Sequence, residues 1–194
     1  IYYSDKTCSS SVINGKTPLG IVVYVDGKGH GQALVKERAM TNWAGDYTLA
    51  ISDKRASETD IPTMTNYQEA DAIKDFDSCG NTQKIIKFGN SSRYPAAWAA
   101  VNYAPSSVPA TKGKWCLPAA GVARSMMNNY SAINSGLSKA GGESLPGMSV
   151  HDHWNWSSSE YNSGSAWAWC YACDRLDSYG KHYYDYYVRP VLAF

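Results

Sequence analysis

The apolar and polar positions of the chain fall into a few distinct patterns. Leu19-Gly20-Ile21-Val22-Val23-Tyr24-Val25 is a β-branched run that meets the turn signal Asp26-Gly27, and Ala33-Leu34-Val35 answers it after further glycines, which predicts a hairpin. Thr65 with Gln68 three residues later makes a capping box. Tyr67, Ala70, Ile73 and Phe76 then recur at helical spacing before Cys79-Gly80, which predicts a first main helix. A short helix is expected from Pro95 through Ala97, Trp98 and Val101, with proline in the tolerated first turn and Pro105 and Pro109 beyond its end. Trp115-Cys116-Leu117 reads as a brief strand before Pro118. Val122, Met126, Tyr130, Ile133 and Leu137 then form a longer stripe, a second main helix closed by Gly141-Gly142.

From Leu145 onward the helical period is lost, and short strands joined by turns are expected. Between Ala166 and Ala172 the residues alternate strictly, with Trp167, Trp169 and Tyr171 on one face and Ala168, Cys170 and Ala172 on the other. The large set is expected in the core and the small set outside. A turn is expected around Asp174 to Gly180. The run Lys181-His182-Tyr183-Tyr184-Asp185-Tyr186-Tyr187 carries too many polar tips to be buried on both faces, and Val188 to Phe194 is apolar enough for a final core strand. Two main helices among short antiparallel strands, with the N- and C-terminal strands paired in one sheet, predict an α+β fold in a single domain, residues 1–194.

Composition sharpens this outline. The chain holds 15 Tyr and 7 Trp against only 3 Phe, and seven of the Tyr and four of the Trp fall between His151 and Phe194. Both side chains join a large apolar body to a polar tip, which suits half-wet interface positions. A net charge of +1 offers no basic field for a phosphate backbone, so nucleic acid is not expected as a partner. No run is long and apolar enough to enter a membrane. The start at Ile1 reads as a processed or trimmed product, so the lack of a leader says nothing of secretion.

Other chemistry finds little support. Cys8, Cys79, Cys116, Cys170 and Cys173 fit no zinc framework, and Cys170-x-x-Cys173 lies in a strand-like run without the helix start that a redox motif needs, so the pair reads as two incidental thiols. Gly27-Lys28-Gly29-His30-Gly31 lacks the spacing of a phosphate loop. His151-Asp152-His153 has a spacing that zinc can use but no further clustered ligand, and reads as a solvated turn. No H-E-x-x-H, G-x-S-x-G or P-loop motif occurs to support other catalysis. The expectation is a binding protein, not an enzyme, with no metal and no cofactor.

The region from about 154 to 187, rich in Tyr, Ser, Gly, Asp and His, has the composition of antibody binding loops. Trp156-Ser157-Ser158-Ser159-Glu160-Tyr161-Asn162-Ser163, then Ala166-Trp167, then Lys181, then Tyr187-Val188-Arg189-Pro190-Val191-Leu192-Ala193-Phe194 closely resembles the variable proteins of diversity-generating retroelements. Trp115-x-Leu117-Pro118 before a helix also fits; before Pro62 the likeness is looser. The resemblance implies a C-type lectin fold of the formylglycine-generating-enzyme subclass. It also implies a surface diversified by error-prone reverse transcription at adenines of Asn-type codons.

Carried over by position, the diversified, ligand-binding set comprises Ala168, Cys170, Ala172, Cys173, Arg175, Asp177, Ser178, Tyr179, Gly180, His182, Tyr183, Tyr184 and Asp185, with Asn155, Ser163, Gly164, Ser165 and Tyr186 at its margin. Trp156, Glu160, Trp167, Trp169, Tyr171, Lys181 and Arg189 would form the invariant frame. Changing the adenines of an Asn codon never yields Trp, Lys, Glu, Gln or Met. From Ala168 to Tyr187 only Trp169 and Lys181 break that rule, both at frame positions.

The implied function is recognition of a macromolecular ligand, a protein or cell-surface receptor, by a protein displayed on a phage tail or a bacterial surface, with Tyr179, Tyr183 and Tyr184 as anchors. Ligand identity and oligomeric state stay open. Two alternatives share the broader fold. A calcium-dependent or other carbohydrate-binding lectin would need oxygen-ligand motifs that are absent, Trp154-Asn155-Trp156 being a partial echo. A formylglycine-generating-enzyme-like oxidase would need a dedicated reactive cysteine pair, whereas Cys170 and Cys173 fall at diversified positions.

Overall fold

A computed structural model describes residues 1–36, 68–91, 94–145, 154–162, 164–171, 173–181 and 186–194. The fold is α+β, with helices packed against two antiparallel sheets. The larger sheet takes β1 (Tyr2–Tyr3), β2 (Pro18–Val25), β3 (Gly31–Val35), β4 (Trp115–Cys116) and β8 (Val191–Ala193) in the order β1-β2-β3-β8-β4. The expected hairpin is β2–β3, and Gly27 and Gly29 adopt left-handed conformations in its turn, where a side chain would be strained. The chain ends share this sheet without pairing directly: β1 pairs β2, while β8 pairs β3 and β4. Tyr2 nonetheless stacks on Phe194, with ring centroids 4.4 Å apart.

The helical segments are α1 (Glu69–Ala72), α2 (Ser78–Phe88), α3 (Pro95–Asn102), α4 (Ala120–Asn128) and α5 (Tyr130–Lys139). The first main helix differs from expectation. Its pattern stops after the single turn of α1, and a new helix, α2, begins where Cys79-Gly80 predicted an end. Asp77 caps α2 by accepting from the Gly80 amide at 2.9 Å, and a Cβ on Gly80 would collide with that carboxylate, so this glycine makes room for a start. Thr65 and Tyr67 lie outside the described residues. The short helix is α3, with Pro95 in its first turn. The long apolar stripe forms α4 and α5, separated at Asn129, and left-handed Gly141 follows the end of α5.

The second sheet has three strands, β5 (Asn155–Asn162), β6 (Ser165–Cys170) and β7 (Arg175–Gly180), with β6 in the middle. Arg175–Gly180 is therefore a strand and not the expected turn. The reversal is tighter, over Tyr171 to Asp174, where Asp174 takes a left-handed conformation at φ 48°.

Three apolar clusters build the interior. One lies between β2, β3 and the α4–α5 pair and takes Trp167, Trp169 and Tyr171 from β6 and its end. A second gathers Ile85, the alanines of α3, Leu117, Trp156, Ala166, Ala168 and Val188. A third, with Tyr2, Leu19, Trp115 and Leu192, includes Phe194 at its margin.

Two disulfides join cysteines that sequence reading left unpaired. Cys79 at the start of α2 bonds to Cys116 of β4, and Cys170 bonds to Cys173 across the β6–β7 turn. The tight turn brings the Cα atoms of the second pair to 5.4 Å, within disulfide reach, so these are not incidental thiols. Cys8 is exposed and free.

Candidate functional site

The region expected to bind ligand is anchored by buried polar chemistry. β5 leaves its ladder with β6 between Trp156 and Glu160, and the fully buried Ser157, Ser158 and Ser159 turn their hydrogen bonds elsewhere. Ser158 N–H donates to Pro118 O at 2.9 Å. Ser159 Oγ donates to Asp75 Oδ2 at 2.5 Å and accepts from the Ala120 amide at 2.9 Å, at the first turn of α4. Asn81 Nδ2 also donates to Asp75 Oδ2, at 2.7 Å, so one buried carboxylate ties α2, α4 and β5 together. Small hydroxyl side chains are needed there, because a bulkier residue would separate β5 from the helix start.

At the other end of β5, Glu160 and Lys181 form an ion pair with both side chains 1% exposed. Lys181 follows β7, and its backbone N–H donates to Gly164 O at 3.0 Å in the β5–β6 turn. Arg189 is also buried and donates from Nη2 to Glu143 O at 3.1 Å. All seven expected frame residues, Trp156, Glu160, Trp167, Trp169, Tyr171, Lys181 and Arg189, are buried. Burial pushes the Tyr171 phenol above the usual tyrosine range, against the opposing pull of Arg189, and its hydroxyl meets Met126 Sδ at 3.4 Å.

Over this frame lies a half-exposed aromatic cluster. Tyr179 of β7 meets Trp154 edge-on with centroids 4.7 Å apart, and Tyr186 edge-on at 5.2 Å. Tyr186 also packs on Trp154 at 6.0 Å and on buried Trp156 at 4.9 Å. The chain reaches Tyr186 because Tyr187 pairs with the start of β5, donating to Trp154 O at 2.9 Å and accepting from Trp156 N–H at 3.0 Å. On β7, Arg175, Asp177 and Tyr179 project from one face, and Arg175 pairs with Asp177 at 2.9 Å.

The expected ligand-binding residues divide by burial. Gly164, Ser165, Cys173, Asp177, Ser178, Tyr179, Gly180 and Tyr186 are half-exposed and Arg175 is exposed. Ala168 and Cys170, expected on an outward face, are instead fully buried. Alternation separates the two faces of β6 correctly, yet both are covered: Ala168 lies opposite Trp156 in the ladder and joins the cluster that holds the α3 alanines. Asn155 is only 5% exposed, because it lies between Trp169 of β6 and Tyr187. Ser163, Ala172, His182, Tyr183, Tyr184 and Asp185 lie outside the described residues, as does His151-Asp152-His153.

Trp154, not among the expected ligand-binding residues although it opens the region from about 154 to 187, is half-exposed, and its ring packs with those of Tyr179 and Tyr186. Trp98 is also half-buried against the same apolar cluster, fixed by its indole N–H donating to Gly89 O at 2.7 Å. Among the described residues, no group of three or more His, Cys, Asp or Glu side chains is placed to hold a metal ion, and no helix is long and apolar enough to cross a membrane. No protein-family model matches the chain, and no curated protein matches it.

Proposed function

We propose that this chain is a variable, ligand-binding protein of the diversity-generating retroelement type, with a C-type lectin-like fold. In this reading it recognises a macromolecular ligand through β7, its flanking turns and the Tyr179–Tyr186 aromatic cluster. The observation that carries the reading is the division between side chains. The residues that break the Asn-codon rule, Trp169 and Lys181, are buried, while Asp177, Ser178, Tyr179 and Gly180 of β7 are half-exposed and Arg175 is exposed. A surface meant to be rewritten requires this arrangement, because each new residue set must leave folding intact.

The aromatic cluster suits such a surface, since Tyr and Trp supply contact area with few rotatable bonds. No cofactor enters this reading, and the chain acts by binding rather than by catalysis. The two disulfides support display on a phage particle or a bacterial surface, where thiols are not kept reduced. Sequencing the flanking DNA tests the proposal directly. It should reveal a reverse transcriptase gene and a near-copy of the segment coding for residues 154–194 that differs mainly at adenines. A locus without either would sink the reading.

A further inference from the structure

Trp154 differs from the two tyrosines that share its half-exposed cluster. Tyr179 and Tyr186 belong to the expected diversified set, whereas no change at the adenines of an Asn codon yields Trp. The backbone that carries Trp154 is tied down: Tyr187 N–H donates to Trp154 O at 2.9 Å, and Trp156 N–H donates to Tyr187 O at 3.0 Å. The indole meets Tyr179 edge-on with centroids 4.7 Å apart and Tyr186 at 6.0 Å, and Tyr186 in turn packs on buried Trp156 at 4.9 Å. Trp154 is half-exposed, and among the described residues nothing accepts a hydrogen bond from its indole N–H.

We infer that Trp154 is a fixed contact of the binding surface, kept while the residues around it are replaced, and that it engages a partner protein through its ring and its free N–H. The inference rests on the reading given above. An indole offers a large apolar face and a single donor. An apolar group and a backbone carbonyl match these, and every protein surface carries both, so a partner needs no particular sequence to engage this residue. Trp is among the residue types most concentrated at interface hot spots. The two hydrogen bonds to Tyr187 place its backbone before a partner arrives, which lowers the ordering cost of binding. Replacements at 179 and 186 would reshape the surroundings of the indole and leave the indole itself in place.

The test displays the full chain on cells with Arg175, Asp177, Ser178, Tyr179 and Tyr186 randomised, and selects clones separately against purified lysozyme, serum albumin and ferritin. In clones for at least two of the three targets, Trp154→Ala should raise Kd by about ten-fold or more. Trp154→Phe, which keeps a ring and loses the donor, should raise it by about three-fold. Ile133→Val, in a different apolar cluster from the one Trp154 packs against, should lower Tm with Kd unchanged. If Trp154→Ala abolishes the cooperative thermal transition, the Phe variant decides. The inference is overturned if Kd is unchanged in clones for two or more targets, or if the Trp154 variants weaken binding only as far as Ile133→Val does. Failure to select any clone from a folded library would instead overturn the reading above, and this inference with it.

Discussion

Lys181 Nζ donates to Glu160 Oε1 across the central strand of the three-stranded sheet, with both side chains sealed from solvent. The pair fastens the end of β7 to β5, and thereby sets where Tyr179 stands. Removing one member takes from the other its ion-pair partner in a buried site, which typically costs about 3–5 kcal/mol. Lys181→Met is therefore expected to destabilise strongly in urea melts. Adding Glu160→Leu should recover most of the loss, and equal losses in the single and double variants would show that the charges are not coupled.

The two disulfides should differ in weight. Chain-entropy arguments give about 4 kcal/mol for a loop the length of Cys79–Cys116 and about 2 kcal/mol for the short Cys170–Cys173 loop. Paired serine replacements at Cys79 and Cys116 should lower Tm more than those at Cys170 and Cys173. The reverse order would contradict the assigned pairing.

Variation on β7 should be tolerated. Arg175→Ala and Asp177→Ala each remove one member of a surface pair and should change stability by no more than about 1 kcal/mol. Tyr179→Ala also loses ring contacts with Trp154 and Tyr186, and should cost about 1–2 kcal/mol while leaving a cooperative thermal transition. Unfolding of any of these variants at room temperature would argue that β7 belongs to the frame. Joint replacement of Tyr183 and Tyr184 by Ala is likewise expected to leave folding intact.

Alkaline conditions should expose the buried phenol. Tyr171 favours its neutral form in the folded state, so above the ordinary tyrosine pKa near 10 the unfolded chain binds fewer protons than the folded one, and stability falls as pH rises. Tyr171→Phe should flatten that decline in denaturation measured across alkaline pH. An unchanged slope would mean that other groups cause it.

Much of this architecture is legible in the sequence where the governing signal is local. The β2–β3 hairpin, α3, and the α4–α5 stripe follow from turn residues, a first-turn proline and helical period. Gly80 misled because glycine near a helix reads as a stop, whereas here it accommodates the Asp77 cap. The α4–α5 stripe gave no hint of its interruption at Asn129, since apolar spacing alone does not report a break in backbone direction.

The site was half legible for a related reason. Alternation told Ala168 and Cys170 apart from Trp167 and Trp169, but it cannot say whether the second face is wet. That depends on α3, Leu117 and Trp156 arriving from distant parts of the chain to cover it. Similarly, the partner of Lys181 is 21 residues away, and the lysine stood out only because it broke a codon rule.

The contacts among Trp154, Tyr179 and Tyr186 carry a consequence for how this surface can evolve. Residues in mutual contact do not contribute independently, so the effect of a change at 179 will depend on what stands at 186, and on how Trp154 resettles between them. For the binding surface proposed above, affinity would therefore rise and fall by combinations rather than by single steps. A mechanism that alters several neighbouring codons in one event can reach combinations that one-at-a-time substitution would pass through only by way of weaker intermediates.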